Sequence, residues 1–116
     1  MSIKELMIED WVQSKSNKYP FQVISINRNG FIRIEVGDEQ FSKLITEFEP
    51  IPLTPEILEK NGYHFDEIDG SFWMNGVPTI FGRKAPFIMF ATIEIKYIHQ
   101  LQHALRLCRI EKEIQI

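Results

Sequence analysis

Two histidines, His99 and His103, stand four residues apart in Lys96-Tyr97-Ile98-His99-Gln100-Leu101-Gln102-His103-Ala104-Leu105-Arg106-Leu107-Cys108-Arg109. On a helix that spacing puts both imidazoles on one side, as in His-Glu-x-x-His metal sites. Here the intervening glutamate is missing and the third histidine, His64, is distant in sequence, so the pair is expected to be solvent-exposed rather than metal-binding. The acids Asp66, Glu67 and Asp69 are close enough for acid and base work, but they flank an Asp-Gly turn, where carboxylates are ordinarily solvated. No Gly-x-Ser-x-Gly nucleophile motif occurs, and Gly82-Arg83-Lys84-Ala85-Pro86 lacks the glycine spacing of a P-loop or a dinucleotide fingerprint. The lone cysteine, Cys108, excludes an intramolecular disulfide and any site built from several thiolates. These residues imply no catalytic site, no metal and no cofactor, and the chain is expected to be non-enzymatic.

Binding is the chemistry that remains. At about 100° per residue, Ile98, Leu101, Leu105 and Cys108 fall on one stripe flanked by Tyr97 and Ala104. That stripe is expected to face a core, which would make Cys108 an inert buried thiol. The opposite side carries Lys96, His99, His103 and Arg106, with Gln100, Gln102 and Arg109 at its margins and no acid. Lys and Arg hold phosphates while Gln and His add hydrogen bonds, so Lys96, His99, Gln100, His103 and Arg106 form the expected contact surface, continued by Arg83 and Lys84. The candidate partners are nucleic acid or an acidic protein. Net charge is −3, which argues against a generic polyanion binder, yet from Gly70 to Ile110 the only acid is Glu94 against five bases. Trp11, Phe72, Trp73, Phe81, Phe87 and Phe90 could stack on bases, but in short strands such residues ordinarily form core or cross-strand pairs.

The elements that must position these residues follow from local chemistry. Two β-rich runs surround Asn29-Gly30, the dipeptide of a type I′ hairpin turn, and Ile32, Ile34 and Val36 alternate with Phe31, Arg33 and Glu35. A strand around Asp10 to Gln13 and another around Gln40 to Ile45 complete a small, strongly bent sheet of the SH3-like kind. Pro50-Ile51-Pro52-Leu53 is extended because proline disfavours α geometry in the residue before it. Thr54 as N-cap, Pro55 at the first helical position, Glu56, and Gly62 after Asn61 then frame a helix of about two turns, with Leu53 and Leu58 at staple spacing. Tyr63 to Ile68, Ser71 to Met74, Val77 to Phe81 and Phe87 to Ile95 read as a β-meander, in which Pro78 makes its strand irregular or an edge. A helix from about Lys96 to Arg109 and a final strand over Glu111 to Ile116 close the chain. The fold class is α+β, in one domain of 116 residues with two lobes, 1–49 and 50–116.

The amino-terminal decapeptide carries acids where a signal peptide needs an apolar region, and the longest uncharged apolar run, Ala85 to Ile93, is half of the roughly 18 residues that suggest a membrane span. A cytoplasmic protein without membrane contact is expected. Three patches carry a likeness: Asp10-Trp11-Val12, then Pro50-Ile51-Pro52-Leu53-Thr54-Pro55-Glu56-Ile57-Leu58 to Asn61-Gly62-Tyr63, and Lys96-Tyr97-Ile98-His99-Gln100-Leu101-Gln102. With these the chain resembles an uncharacterised group of small bacterial proteins, common in gut Bacteroidales and in their phages and mobile elements. Ile98 stands where that group more often has valine. The resemblance implies a phage or mobile-element setting, where small accessory proteins often act by binding, and it transfers no catalytic residue. The expected function is an accessory binding module that contacts nucleic acid or an acidic partner through the basic helix face. The alternative is a protein-interaction or oligomerisation module that uses exposed strand edges.

Overall fold

Alternation sends Ile32 and Ile34 into a core and Arg33 and Glu35 to water, and it does so on strand β3 (Phe31–Val36). In this computed structural model, residues 5–68, 70–74, 77–81, 87–88 and 95–116 are described. They form an α+β fold whose chain divides into two units, Met1–Ile51 and Pro52–Ile116.

In the first unit, β1 (Trp11–Ser14), β2 (Pro20–Ile26), β3, β4 (Glu39–Leu44) and β5 (Phe48–Pro50) form an antiparallel sheet in the order β4-β3-β2-β1-β5. The β2–β3 loop differs from the two-residue turn expected at Asn29-Gly30. Gly30 is left-handed at φ 93 but Asn29 is not, and Ile26 pairs with Ile32 across a loop closed by Asn27 N–H to Phe31 C=O (2.9 Å) and Gly30 N–H to Asn27 C=O (3.2 Å). This is a type I turn followed by a left-handed glycine. The Asn27 side chain favours it by accepting the Asn29 N–H at 3.3 Å. Between β3 and β4 only Gly37 and Asp38 intervene, with Gly37 at φ 62 as the first loop residue of a type II′ turn requires. A 3-10 turn, Ile45–Glu47, leads into β5. Leu6, Val12, Val23, Ile32, Ile34, Ile45 and Phe48 make up the core of this unit, with Phe21 and Ile26 against it.

The second unit begins with α1 (Pro55–Lys60), framed by the expected signals. Thr54 Oγ1 accepts the Ile57 N–H at 3.3 Å, Pro55 opens the helix, and Gly62 at φ 93 closes it. The bonds Gly62 N–H to Glu59 C=O and Tyr63 N–H to Leu58 C=O complete a Schellman stop. Strands β6 (His64–Asp66), β7 (Ser71–Met74), β8 (Val77–Phe81) and β9 (Phe87–Ile88) form a meander in sequential order. The strand holding Pro78 is flanked on both sides, so it is no edge, but its register with β7 slips between Phe72↔Ile80 and Met74↔Val77. The remainder of the run expected to Ile95 includes 89–94, outside the described residues. Helix α2 (Ile98–Leu107) follows.

The strand expected over Glu111 to Ile116 does not form. Its backbone finds a side chain instead of a strand. Buried Asn61 donates through Nδ2 to the carbonyls of Ile57 (2.7 Å) and Gln115 (2.8 Å) and accepts the Gln115 N–H on Oδ1 (2.7 Å). Ile114 beside it is buried. Among the described residues no helix is long and apolar enough to cross a membrane.

Replacing Asn61 with alanine removes the side chain that holds the amide and carbonyl of Gln115. A loss of about 1–2 kcal/mol is expected in urea denaturation, since each such hydrogen bond contributes roughly 0.5–1.5 kcal/mol. Cleavage near residues 110–116 should become faster in limited proteolysis.

Candidate functional site

The expected ridge on α2 is not a continuous exposed face. His99 is 2% exposed, stacked on Tyr97 (centroids 6.0 Å, 16°) and met edge-on by His103 (5.6 Å, 78°). Gln102 is buried as well, and His103, Gln100 and Arg106 are half-buried, whereas Lys96 is exposed. The exposure expected of His99 is therefore corrected. Ile98, His99, Leu101, Gln102, Ala104 and Leu105 are buried together, which at about 100° per residue is an arc of roughly 220°. The apolar residues alone mark a narrower stripe, so the sequence pattern underestimates how far the second unit wraps this helix. Gln100 caps the start of the helix, where its Oε1 accepts the main-chain N–H groups of Lys96 (2.8 Å) and Tyr97 (3.2 Å) and satisfies donors that the helix itself leaves open. Arg83 and Lys84 lie outside the described residues.

Cys108 departs from expectation in the other direction, being exposed. The helix stops beneath it. Arg109 takes the left-handed conformation at φ 58, and Arg109 N–H to Arg106 C=O with Ile110 N–H to Leu105 C=O repeats the Schellman geometry without a glycine. The position that helical periodicity assigns to the core thus belongs to a turn. Nearby Tyr63 has its hydroxyl buried with no hydrogen-bond partner among the described residues, and burial, with the Cys108 thiol as a lesser cause, pushes its pKa up to about 12. Asp66 is engaged locally, with its Oδ1 accepting the Ile68 N–H at 2.9 Å in an Asx turn. Among the described residues no group of three His, Cys, Asp or Glu side chains could hold a metal.

What the first unit offers is a groove of about 420 Å³, lined by Trp11, Tyr19, Phe21, Val36, Glu9 and Glu35 among others and, among the described residues, by no cationic side chain. A bulge shapes it. Glu9 N–H donates to Val23 C=O at 2.7 Å, while Val23 N–H donates to Asp10 C=O at 2.9 Å, so two residues oppose one. Glu9 sits at φ 76, the left-handed position that such a bulge usually gives to glycine, at a cost of roughly 1 kcal/mol for a residue with a Cβ. Asp10, 0% exposed, fixes the approach to the bulge by accepting the Met7 N–H on Oδ2 at 2.8 Å.

The other wall depends on the β1–β2 loop. Lys18, left-handed at φ 61, donates its N–H to Ser14 C=O, and Ser14 N–H donates to Tyr19 C=O. The Lys18 ammonium forms an ion pair with Glu49 on β5, whose Oε1 also accepts from Gln13 Nε2 at 2.9 Å. Those two partners, Lys18 first, hold the Glu49 carboxyl below its ordinary range. Tyr19 follows directly, 58% exposed, with its ring 5.0 Å from that of Phe21, which in turn meets Phe48 edge-on at 6.0 Å. The sequence reading places Trp11 in a core or a cross-strand pair and gives Tyr19 no role, although the aromatic-proline-aromatic run Tyr19-Pro20-Phe21 at the start of a strand is a signal for such a surface.

A depressed folded-state pKa favours the folded state above the ordinary value of 4.5 and loses that benefit as pH falls through the folded value. The Glu49 carboxyl should therefore titrate below 4.5 by carbon-13 NMR and return towards it in Lys18→Met. At the far end of the chain, Cys108 should react fully with an aromatic disulfide reagent without denaturant. No protein-family model, no curated protein and no solved structure matches the chain.

Proposed function

We propose that the chain is a non-enzymatic accessory module that acts by protein–protein contact, in the phage or mobile-element setting its sequence suggests. Its first unit takes an extended, proline-containing and cationic segment of another protein into the groove. The supporting observation is the composition of that groove: the aromatic residues Trp11, Tyr19 and Phe21 line it, and among the described residues its charged lining is Glu9 and Glu35. Aromatic walls suit a polyproline segment, whose backbone is already extended and loses little entropy on docking. The carboxylates select lysine or arginine beside the prolines. Backbone strain at Glu9 is the kind of cost that binding sites carry.

The rival partner, nucleic acid or an acidic protein on Lys96, His103 and Arg106, has weaker support because His99 and Gln102 between them are buried. The two readings separate in one assay. Trp73→Phe leaves Trp11 as the only tryptophan, and its fluorescence is titrated with a short proline-rich peptide flanked by arginines, the same peptide flanked by glutamates, and a single-stranded oligonucleotide. The arginine-flanked peptide is expected to bind and the glutamate-flanked one to fail. Tyr19→Ala should weaken binding by roughly tenfold, about 1.4 kcal/mol, as for an aromatic anchor. Oligonucleotide binding that falls steeply with salt, with no response to either peptide, would overturn the proposal.

A further inference from the structure

Strand β4 ends its side of the five-stranded sheet, and all six of its residues, Glu39 to Leu44, are exposed. An exposed edge of that length without proline is a template for another strand. Its outward groups can be identified. Ile45 N–H donates to Gly30 C=O at 2.8 Å, and main-chain groups alternate sides along an antiparallel strand, so Lys43, Phe41 and Glu39 also turn theirs towards β3. Gln40, Ser42 and Leu44 turn away. The Leu44 N–H is taken by Glu47 Oε2 at 3.1 Å, which leaves Gln40 and Ser42 to present both donor and acceptor at the edge.

The side chains sharpen this. Val36↔Glu39, Ile34↔Phe41 and Ile32↔Lys43 are opposed, so these six share one face. Ile32 and Ile34 are buried, yet Val36 is 45% and Phe41 40% exposed, so the core face runs on into uncovered apolar surface at the β4 end. We propose that a second copy of this chain pairs with this edge, β4 with β4 antiparallel across a two-fold axis perpendicular to the sheet, which sets the exposed Phe41 against its counterpart.

Charge complementarity selects the occupant and the register. Opposed residues must share a face, so the axis passes beside a residue and not between two. Centred on Phe41, it sets each Phe41 against its twin, each Glu39 against Lys43 of the second copy, and Gln40 against Ser42 with their outward amides and carbonyls exchanged. The Phe41 pair then occupies the non-hydrogen-bonded site, where opposing side chains lie closer. A shift to Gln40 puts Phe41 against Glu39, a shift to Ser42 puts Lys43 against Phe41, and each loses both ion pairs. The Phe41-centred register alone among these three joins an aromatic contact to paired opposite charges.

Sedimentation equilibrium of the full chain over a concentration series tests this independently of the groove. The unmodified protein should show a reversible dimer. Lys43→Glu, which sets carboxylates against carboxylates at both ends of the paired strands, should raise the dimer Kd by roughly tenfold or more, and Glu39→Lys should do likewise. Combining Glu39→Lys with Lys43→Glu should restore the dimer, which a merely unfolded variant would not do. Ser42→Pro removes an outward N–H while sparing the bonds to β3, and should also leave a monomer. A protein that stays monomeric at every concentration, or a dimer indifferent to Lys43→Glu, would overturn the inference. The arginine-flanked peptide should bind Lys43→Glu as it binds the unmodified chain, so loss of the dimer and loss of the groove's ligand are separate results.

Discussion

A carboxyl group with no access to water constrains the first unit. Asp10 is fully buried, and such a group is tolerated only when donors surround it, which the Met7 N–H begins to provide. Holding Asp10 inside while β1 starts at Trp11 forces an extra residue into the strand pairing opposite Val23. That extra residue is Glu9, driven into left-handed backbone with its side chain at the groove. From the same bulge Val12 enters the core at 0% exposure, and β1 becomes the strand that joins β2 to β5. The groove, the strand that joins β2 to β5 and the strained residue all depend on one buried polar side chain.

The second unit is organised by caps more than by periodicity. Both helices end in the same pair of main-chain bonds, one around Gly62 and one around Arg109, although only the first has the residue usually needed there. Asn61 replaces a missing strand partner by meeting both polar groups of Gln115. On α2 the core accepts an imidazole and an amide, His99 and Gln102, alongside leucine and isoleucine. A pattern of apolar residues cannot announce such burial, because hydrophobicity is what it measures and packing is what occurs.

The edge of the larger sheet shows a related limit. Alternation along β3 correctly divides Ile32 and Ile34 from Arg33 and Glu35, because those residues lie over the core. By Val36 and Phe41 the same face has passed beyond the core and is open. Period two fixes which residues share a face, and it is silent about how far that face is covered.

Local chemistry alone specified the hairpin around Gly30, the capped start of α1, its glycine stop and the existence of α2, because each depends on residues close together in the chain. The turn type before Gly30, the turn at Cys108 and the fate of Glu111 to Ile116 went otherwise, since side-chain acceptors at Asn27 and Asn61 and a left-handed Arg109 outweigh local propensity. The groove was beyond the reach of sequence: Glu9, Trp11, Tyr19 and Glu35 are separated in the chain and meet only when a bulge, an ion pair and strand pairing bring their backbones together. Residue types determine what each side chain prefers, but which of them line one groove is decided by hydrogen bonds closed across the whole sheet.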